Sequence, residues 1–355
     1  MKKFYAVIGN PPYQVEQEGD NVTYAPPIYH HFLDSSYEVS RKVELVHPAR
    51  FLFNAGSTPK EWNEKMLSDK HLKILSYHED PTDIFPGTDI KGGVVVSYHD
   101  EDTDFGAIEV FNKFEEVNSV MKKAAPKSPE QSIASIITIQ NRFDLDRLYQ
   151  DHPDYRTKQI ANKKGKLVNI IGNNGKDSRF EKDIFQKIPL FTESPVDGDS
   201  ILVLGIYKLK RSSRYIPKAY VDCAHESLFT YKVVIPVANG SGQFGEALSK
   251  PEILKPGEGF TRSFIGIGMF ETEGEALAAE KYIKTKMCRT MLSIFKVTQM
   301  ANKDVWRCVP LQDFSDMSDI DWSLSVSEID QQLYKKYRLT EDEINFIETH
   351  VKEMS

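Results

Sequence analysis

Residues 4 to 100 alternate between two hydrophobic periods, and this alternation constrains the fold more than any other feature. FYAVIGN (4–10) is apolar with no polar alternation, the pattern of a strand buried on both faces. Residues 26–40 place Ile28, Phe32, Ser35, Ser36 and Val39 at helical spacing behind Pro26 and Pro27. KVELVHP (42–48) reads as a second strand closed by a proline. PKEWNEKMLSDK (59–70) reads as a helix with Thr58 as N-cap and Glu61 three residues later, a capping box. HLKILSYHE (71–79) and GVVVSYHD (93–100) follow as strands. The order β-α-β-α-β predicts a parallel, helix-covered sheet that ends in an antiparallel pair.

The pattern then changes. Residues 111–165 read as a polar, helical linker or insert. SILVLGIYK (200–208), RYIPKAYVD (214–222) and RSFIGIGMF (262–270) are strand-like, with irregular connections rich in Gly and Pro. Residues 272–296 read as one long helix, and the tail 328–354 as two, the second capped by Thr340 with Glu343 three residues on. The expected organisation is an α/β domain over 1–125 and an α+β domain with a helical C-terminus over 126–355.

Composition removes several classes. No apolar run approaches the roughly 20 residues of a membrane helix. MKKFYAVIGNPPY has lysines and a short apolar run, but Asn-Pro-Pro interrupts it where a signal peptide would continue. The 3 cysteines are far apart, with neither a disulfide framework nor CxxC spacing, which points to a reducing, cytoplasmic compartment. Net charge is −7, but it is unevenly spread. Residues 156–218 hold fourteen Lys/Arg against six Asp/Glu, while 313–355 hold four against eleven. That asymmetry suits a protein with one anion-facing surface, and equally a chain whose charges are solvated on separate faces.

AVIGNPPYQ (6–14) carries the sharpest chemical signal. Two prolines fix φ and remove two N–H donors, so the nearby carbonyls have no local competitor. Asn10 adds a side-chain carbonyl acceptor, and Tyr13 a flat apolar face. A planar group with an exocyclic NH2, such as adenine, fits this set: its two N–H bonds go to Asn10 and the Pro11 carbonyl, and its ring stacks on Tyr13. Accepting both protons concentrates electron density on a nitrogen that is otherwise a poor nucleophile. A bare turn accounts for a lone Asn-Pro-Pro. The preceding strand and the aromatic that follows favour a functional loop at a strand's carboxyl end.

VIGNPPYQ resembles motif IV of the N6-adenine DNA methyltransferases of type II restriction–modification systems, those with a TaqI-like C-terminal specificity domain. VHPARFLF (46–53) and IFPGTDIKGGVVV (84–96) resemble the strands and loops that follow in that family. KVVIPVANGSG (232–242), the 264–270 strand and VWRCVPLQDF (305–314) with its tail resemble the recognition half. The resemblance implies the C-terminal half of a Rossmann-like methyltransferase sheet followed by a target recognition domain. It implies that Asn10, Pro11, Pro12 and Tyr13 hold a flipped adenine, with S-adenosylmethionine as methyl donor and double-stranded DNA as partner. In the family a glycine-rich cofactor loop lies well before NPPY, yet only nine residues precede Asn10 here. The expectation is therefore a chain completed by another that carries that loop, and inactive alone. The alternatives are a DNA-binding remnant or specificity subunit without catalysis, and an unrelated interaction protein. The strand at 5–9 should then be hidden at its open edge, against a second copy, a complementing chain or the 111–165 segment.

Gly240-Ser241-Gly242-Gln243-Phe244-Gly245 is a downstream GxGxxG, but no acidic residue ends a strand about 20 residues later, and Pro251 shortens any following helix. The cofactor-binding residues thus stay unassigned. Lys208, Lys210, Arg211 and Arg214 with Tyr215 and Tyr207 mix basic and aromatic side chains as a phosphate-tracking surface does, or as an exposed basic hairpin does. His30, His31, His47, His71, His78 and His99 are scattered over separate elements and form no metal set. Asp100, Glu101, Asp102 and Asp104 read as a solvated turn, and Arg50 as either a salt-bridge partner or a site wall.

Overall fold

The computed structural model describes residues 2–15, 25–53, 57–87, 90, 92–162, 165–196, 198–296 and 298–354. They form a mixed α/β protein with several sheets. Two compact units divide the chain, Met1–Glu115 and Glu116–Ser355. Among the described residues, no helix is long and apolar enough to cross a membrane.

The first unit is a four-stranded sheet. Strand β1 (Phe4–Gly9) leads through helix α1 (Tyr29–Val39) to β2 (Ser40–Pro48), and the two strands pair in parallel. Helix α2 (Lys60–Ser68) leads to β3 (Leu72–His78), and β4 (Val94–Asp100) returns between β2 and β3, antiparallel to both. The spatial order is β1-β2-β4-β3, with three strands running one way and the last reversed. Leu33, Val43, Leu45, Phe51, Trp62, Met66, Leu72 and Val95 form one buried core between sheet and helices.

Three expectations for this unit need correction. Strand β1 is where the pattern put it, but it is not buried: Phe4, Tyr5 and Ile8 are 60%, 83% and 77% exposed. It lies at the sheet's edge, and among the described residues only its Val7 packs against the unit's core. Thr58 does not cap α2. Pro59 is the half-in residue, and the buried Thr58 hydroxyl donates instead to Asn63 Oδ1 at 2.8 Å. Asp100 is not solvated, because it is buried beside Lys42 (3.2 Å) and accepts from the Tyr98 hydroxyl and the Asp102 N–H, each at 3.1 Å.

The second unit starts within residues expected to be a polar insert. Helix α3 (Glu115–Ala124) buries Val117, Val120 and Ala124, and Ile133 is fully buried. The two-residue strand β5 (Ile137–Thr138) joins a sheet, so this segment is core rather than linker. Further on lie the hairpin β6 (Gln159–Ala161) and β7 (Leu167–Asn169), then the longer hairpin β8 (Ser200–Tyr207) and β9 (Lys210–Pro217). Strand β9 begins before the expected 214 and ends at Pro217, where a single 3-10 turn takes over. β10 (Tyr231–Pro236), β11 (Glu252–Leu254), β12 (Glu258–Phe260) and β13 (Phe264–Phe270) complete two sheets, ordered β11-β10-β13-β5 and β12-β8-β9.

The long helix expected over 272–296 is broken into Glu273–Lys284 and Lys286–Ser293. Thr285 is the reason. Its buried hydroxyl donates to the Tyr282 carbonyl at 2.6 Å and accepts the Cys288 N–H at 3.1 Å, ending one helix and capping the next. Asp330 then takes the Lys286 and Met287 N–H groups, both at 2.9 Å. The tail forms Val326–Lys336 and Glu341–His350, and Thr340 with Glu343 makes the expected capping box. Thr285→Ala removes a cap and leaves buried backbone groups unpaired. It should cost about 1–2 kcal/mol in urea unfolding, and a loss under about 0.5 kcal/mol would show that the break is set elsewhere.

Candidate functional site

Three parallel strands deliver their carboxyl ends to one side of the first sheet, where open α/β sheets carry their sites. Asn10–Tyr13 follows β1, Ala49–Phe53 follows β2 and Glu79–Phe85 follows β3, while Gly92-Gly93 leads into the reversed β4. The Ala49 N–H donates to the Gly93 carbonyl at 3.0 Å and ties two of these loops together. Gly93 has φ +80°, and a Cβ there would lie 2.4 Å from the His78 carbonyl oxygen. At Gly92 (φ +87°) a Cβ would lie 2.9 Å from Arg50 Cγ, so Gly92 makes room for the Arg50 stem. The Gly-Gly before the Val94–Val96 run was the available sequence signal for this role. Residues 88, 89 and 91 of the 84–96 stretch lie outside the described residues.

Asn10 is exposed, and its carboxamide bonds to no described residue. The Pro11 and Pro12 carbonyls likewise accept no hydrogen bond from a described residue. Tyr13 is held firmly. Its carbonyl accepts the Ile28 N–H at 3.0 Å, and the Val15 N–H donates to the Pro26 carbonyl at 3.1 Å. Its half-buried ring meets Phe85 edge-on, with centroids 6.4 Å apart. The Tyr13 phenol oxygen is buried without a partner among the described residues, and burial pushes its pKa up to about 12, so it stays neutral. Phe85 belongs to the IFPGTDIKGGVVV stretch, and its place beside Tyr13 depends on the β3 end, which spacing does not reveal.

Beneath the loops sits His47, fully buried. Its Nε2 lies 2.8 Å from the Ser97 hydroxyl, and its ring stacks on Tyr29 with centroids 5.5 Å apart. Burial holds its pKa down to about 4, so it is a neutral structural side chain. His99 lies 3.3 Å from Asp69, and His71 pairs with the Thr103 carbonyl. Among the described residues no group of three His, Cys, Asp or Glu could hold a metal ion.

The GxGxxG at 240–245 is occupied from within. Glu246 turns back so that its carboxylate accepts the N–H groups of Ser241 (2.7 Å) and Gly242 (2.9 Å) and pairs with buried Lys296. A Cβ at Gly240 would strike the same carboxylate at 2.3 Å. The Ser241 and Gly242 donors are spent on this internal anion, and the Gln243 and Gly245 N–H groups donate to the Ser241 and Ser293 hydroxyls, so these residues do not fit a cofactor cradle. The basic set is also partly committed. Arg211 pairs with Glu252, and Arg214 pairs with Glu193 (2.8 Å) while lying 4.7 Å over the Tyr207 ring. Tyr215 is half-buried and exchanges backbone bonds with Thr192. Lys208 and Lys210 stand at the hairpin tip. Lys163 and Lys164 of the basic stretch lie outside the described residues.

Residues 1–85, which include every loop from Asn10 to Phe85, match the model of the family described as Eco57I restriction-modification methylase. A Mycoplasma pneumoniae protein described as an uncharacterized adenine-specific methylase is 30% identical over 96 residues. That alignment covers 26% of this chain and 23% of the relative's length. A solved structure of the ATP-dependent Type ISP restriction-modification enzyme LlaBIII bound to DNA aligns over 75% of this chain and 24% of that one. Its identity is 12% and its TM-score 0.20, which carries no argument about fold.

The internal anion makes a pH prediction. Burial alone would raise the Glu246 carboxyl, but Lys296 and the Ser241 and Gly242 N–H groups hold it down to about 2. A depressed carboxyl contributes stability above its unfolded value that is lost as pH falls through the folded one. Glu246→Gln, which also strands a buried ammonium, should cost about 2–4 kcal/mol at pH 7. The deficit should shrink as pH falls from about 4.5 towards 2, and a pH-independent deficit would remove the charge from the explanation.

Proposed function

We propose that the sheet's carboxyl end holds the exocyclic amine of a flipped adenine, in the N6-adenine DNA methyltransferase of a restriction–modification system. The observation that supports this best is the set of acceptors after β1 that no described residue claims: the Asn10 carboxamide and the Pro11 carbonyl, beside the Tyr13–Phe85 ring pair. The family match over 1–85 spans the same residues. In this reading Asn10 Oδ1 and the Pro11 carbonyl each accept one amine N–H, directing the nitrogen lone pair outward. Tyr13 lays its ring on the base, and Phe85 bounds the pocket on the ring's edge side. Residues 1–125 would be half of a Rossmann-like catalytic sheet, and 126–355 a target recognition domain binding double-stranded DNA. S-adenosylmethionine would supply the methyl group, bound by residues other than the 240–245 loop. That loop's self-occupation also supports the rival reading, a DNA-binding relative without catalysis.

Methyl transfer to DNA distinguishes the two. It is measured with the chain alone and with the products of the genes beside its own. Where transfer is seen, Asn10→Ala should lower it at least about 100-fold while duplex affinity stays within about threefold. Unchanged turnover removes Asn10 from the mechanism, and no transfer in any combination leaves the non-catalytic reading.

The open edge of β1 belongs to the same proposal. Exposed Phe4, Tyr5 and Ile8 on an edge strand form a pairing template. We infer that this edge is covered by another polypeptide, either a second copy or one carrying the cofactor half. Light scattering should show an assembly larger than one chain, and Ala6 to Ile8 amides should be protected from hydrogen exchange. A monomer whose amides there exchange freely would overturn it.

A further inference from the structure

Strands β8 and β9 pair without interruption from Ser200 opposite Pro217 to Tyr207 opposite Lys210. The turn between them is therefore Lys208-Leu209, and both residues are left-handed, with φ +46° and +66°. Two-residue hairpins of this type normally use Asn-Gly, because side chains beyond Asn and Gly rarely adopt that region. Elsewhere this chain follows the rule. Its other consecutive left-handed pairs among the described residues are Gly92-Gly93 and, before Gly175, Asn173-Asn174. A strained pair kept at an exposed tip points from conformation towards function.

The tip's chemistry is equally specific. Leu209 is 90% exposed, more than any other large apolar side chain among the described residues. The hairpin from Ser200 to Pro217 contains four basic residues and no acidic one. Arg211 and Arg214 are tied to Glu252 and Glu193, but Lys210 has no ion pair among the described residues. Lys208 lies 5.3 Å over the Tyr207 ring. An apolar side chain is thus held in water between two ammonium groups. One leucine covers too little area to hold a lipid surface, which binds whole amphipathic faces. A single apolar side chain flanked by cations does match a duplex, where phosphates border a stack that one wedge can enter.

We propose that Leu209 is a wedge residue that enters a DNA base step, with Lys208 and Lys210 on the bordering phosphates. This rests on the DNA-binding reading and adds to it the contact that unstacks the duplex. The left-handed turn thrusts Leu209 out of the hairpin, which a relaxed turn sequence would not need.

The test uses the full chain and mixed-sequence duplexes of about 30 base pairs carrying 2-aminopurine at successive steps. Binding should raise the fluorescence at one or two steps. Leu209→Asn keeps every charge and suits the left-handed turn, so its thermal midpoint should equal or exceed the parent's. Its duplex affinity should fall about 10-fold, the fluorescence rise should vanish, and the salt slope should stay the same. Lys210→Gln should weaken binding and reduce the slope by about 1. If Leu209→Asn matches the parent in affinity and fluorescence, the wedge is wrong while DNA binding stands. If the parent chain binds no duplex at low salt, the DNA-binding reading falls and the wedge with it. Binding to phosphatidylserine vesicles in place of duplex would assign the tip to a membrane and overturn the proposal.

Discussion

The hydrogen bonds that strand Ser40–Pro48 makes on both sides are the interaction on which the candidate site depends. On one side it pairs in parallel with Phe4–Gly9, on the other antiparallel with Val94–Asp100. Parallel pairing forces the Asn10 and Ala49 loops to leave from the same end. The antiparallel partner must then enter from that end, so Gly93 arrives where its carbonyl can receive the Ala49 N–H. A one-residue slip in either ladder would invert the side chains of a strand and draw these loops apart.

The chain separates groups that hold the fold from groups left available. His47, Lys296 and Asp330 are buried, Glu246 is partly so, and each is satisfied by a named partner. Asn10, by contrast, carries an amide that nothing described engages, on a loop anchored through Tyr13. A glycine-rich loop closed by its own Glu246 shows the difference well. The motif has the composition of an anion cradle, and the anion it cradles is the chain's own carboxylate.

Local patterns were legible where the physics is local. The four strands of the first sheet, the capping box at Thr340 and Glu343, and the strands near 200 and 264 all follow from period and capping chemistry. The failures were non-local. Helical propensity runs unbroken through 272–296, yet Thr285 and the distant Asp330 together satisfy a break. Thr58 has the capping spacing, but Asn63 claims its hydroxyl. The segment after 111 is polar on average, and its few apolar residues proved to be core.

By itself the sequence determined the strands and helices of residues 4–100, and it put an acceptor, two prolines and an aromatic at the end of the first strand. Those follow from backbone sterics and side-chain period, which neighbouring residues set. Tertiary structure alone decided that Phe4–Gly9 is an exposed edge, that Phe85 meets Tyr13 and Gly92 yields to Arg50, and that a left-handed Lys208-Leu209 turn holds a leucine in water. Each of these depends on which strand pairs with which and in what register. That choice is made by contacts between residues far apart in the chain, and no window of sequence contains both partners.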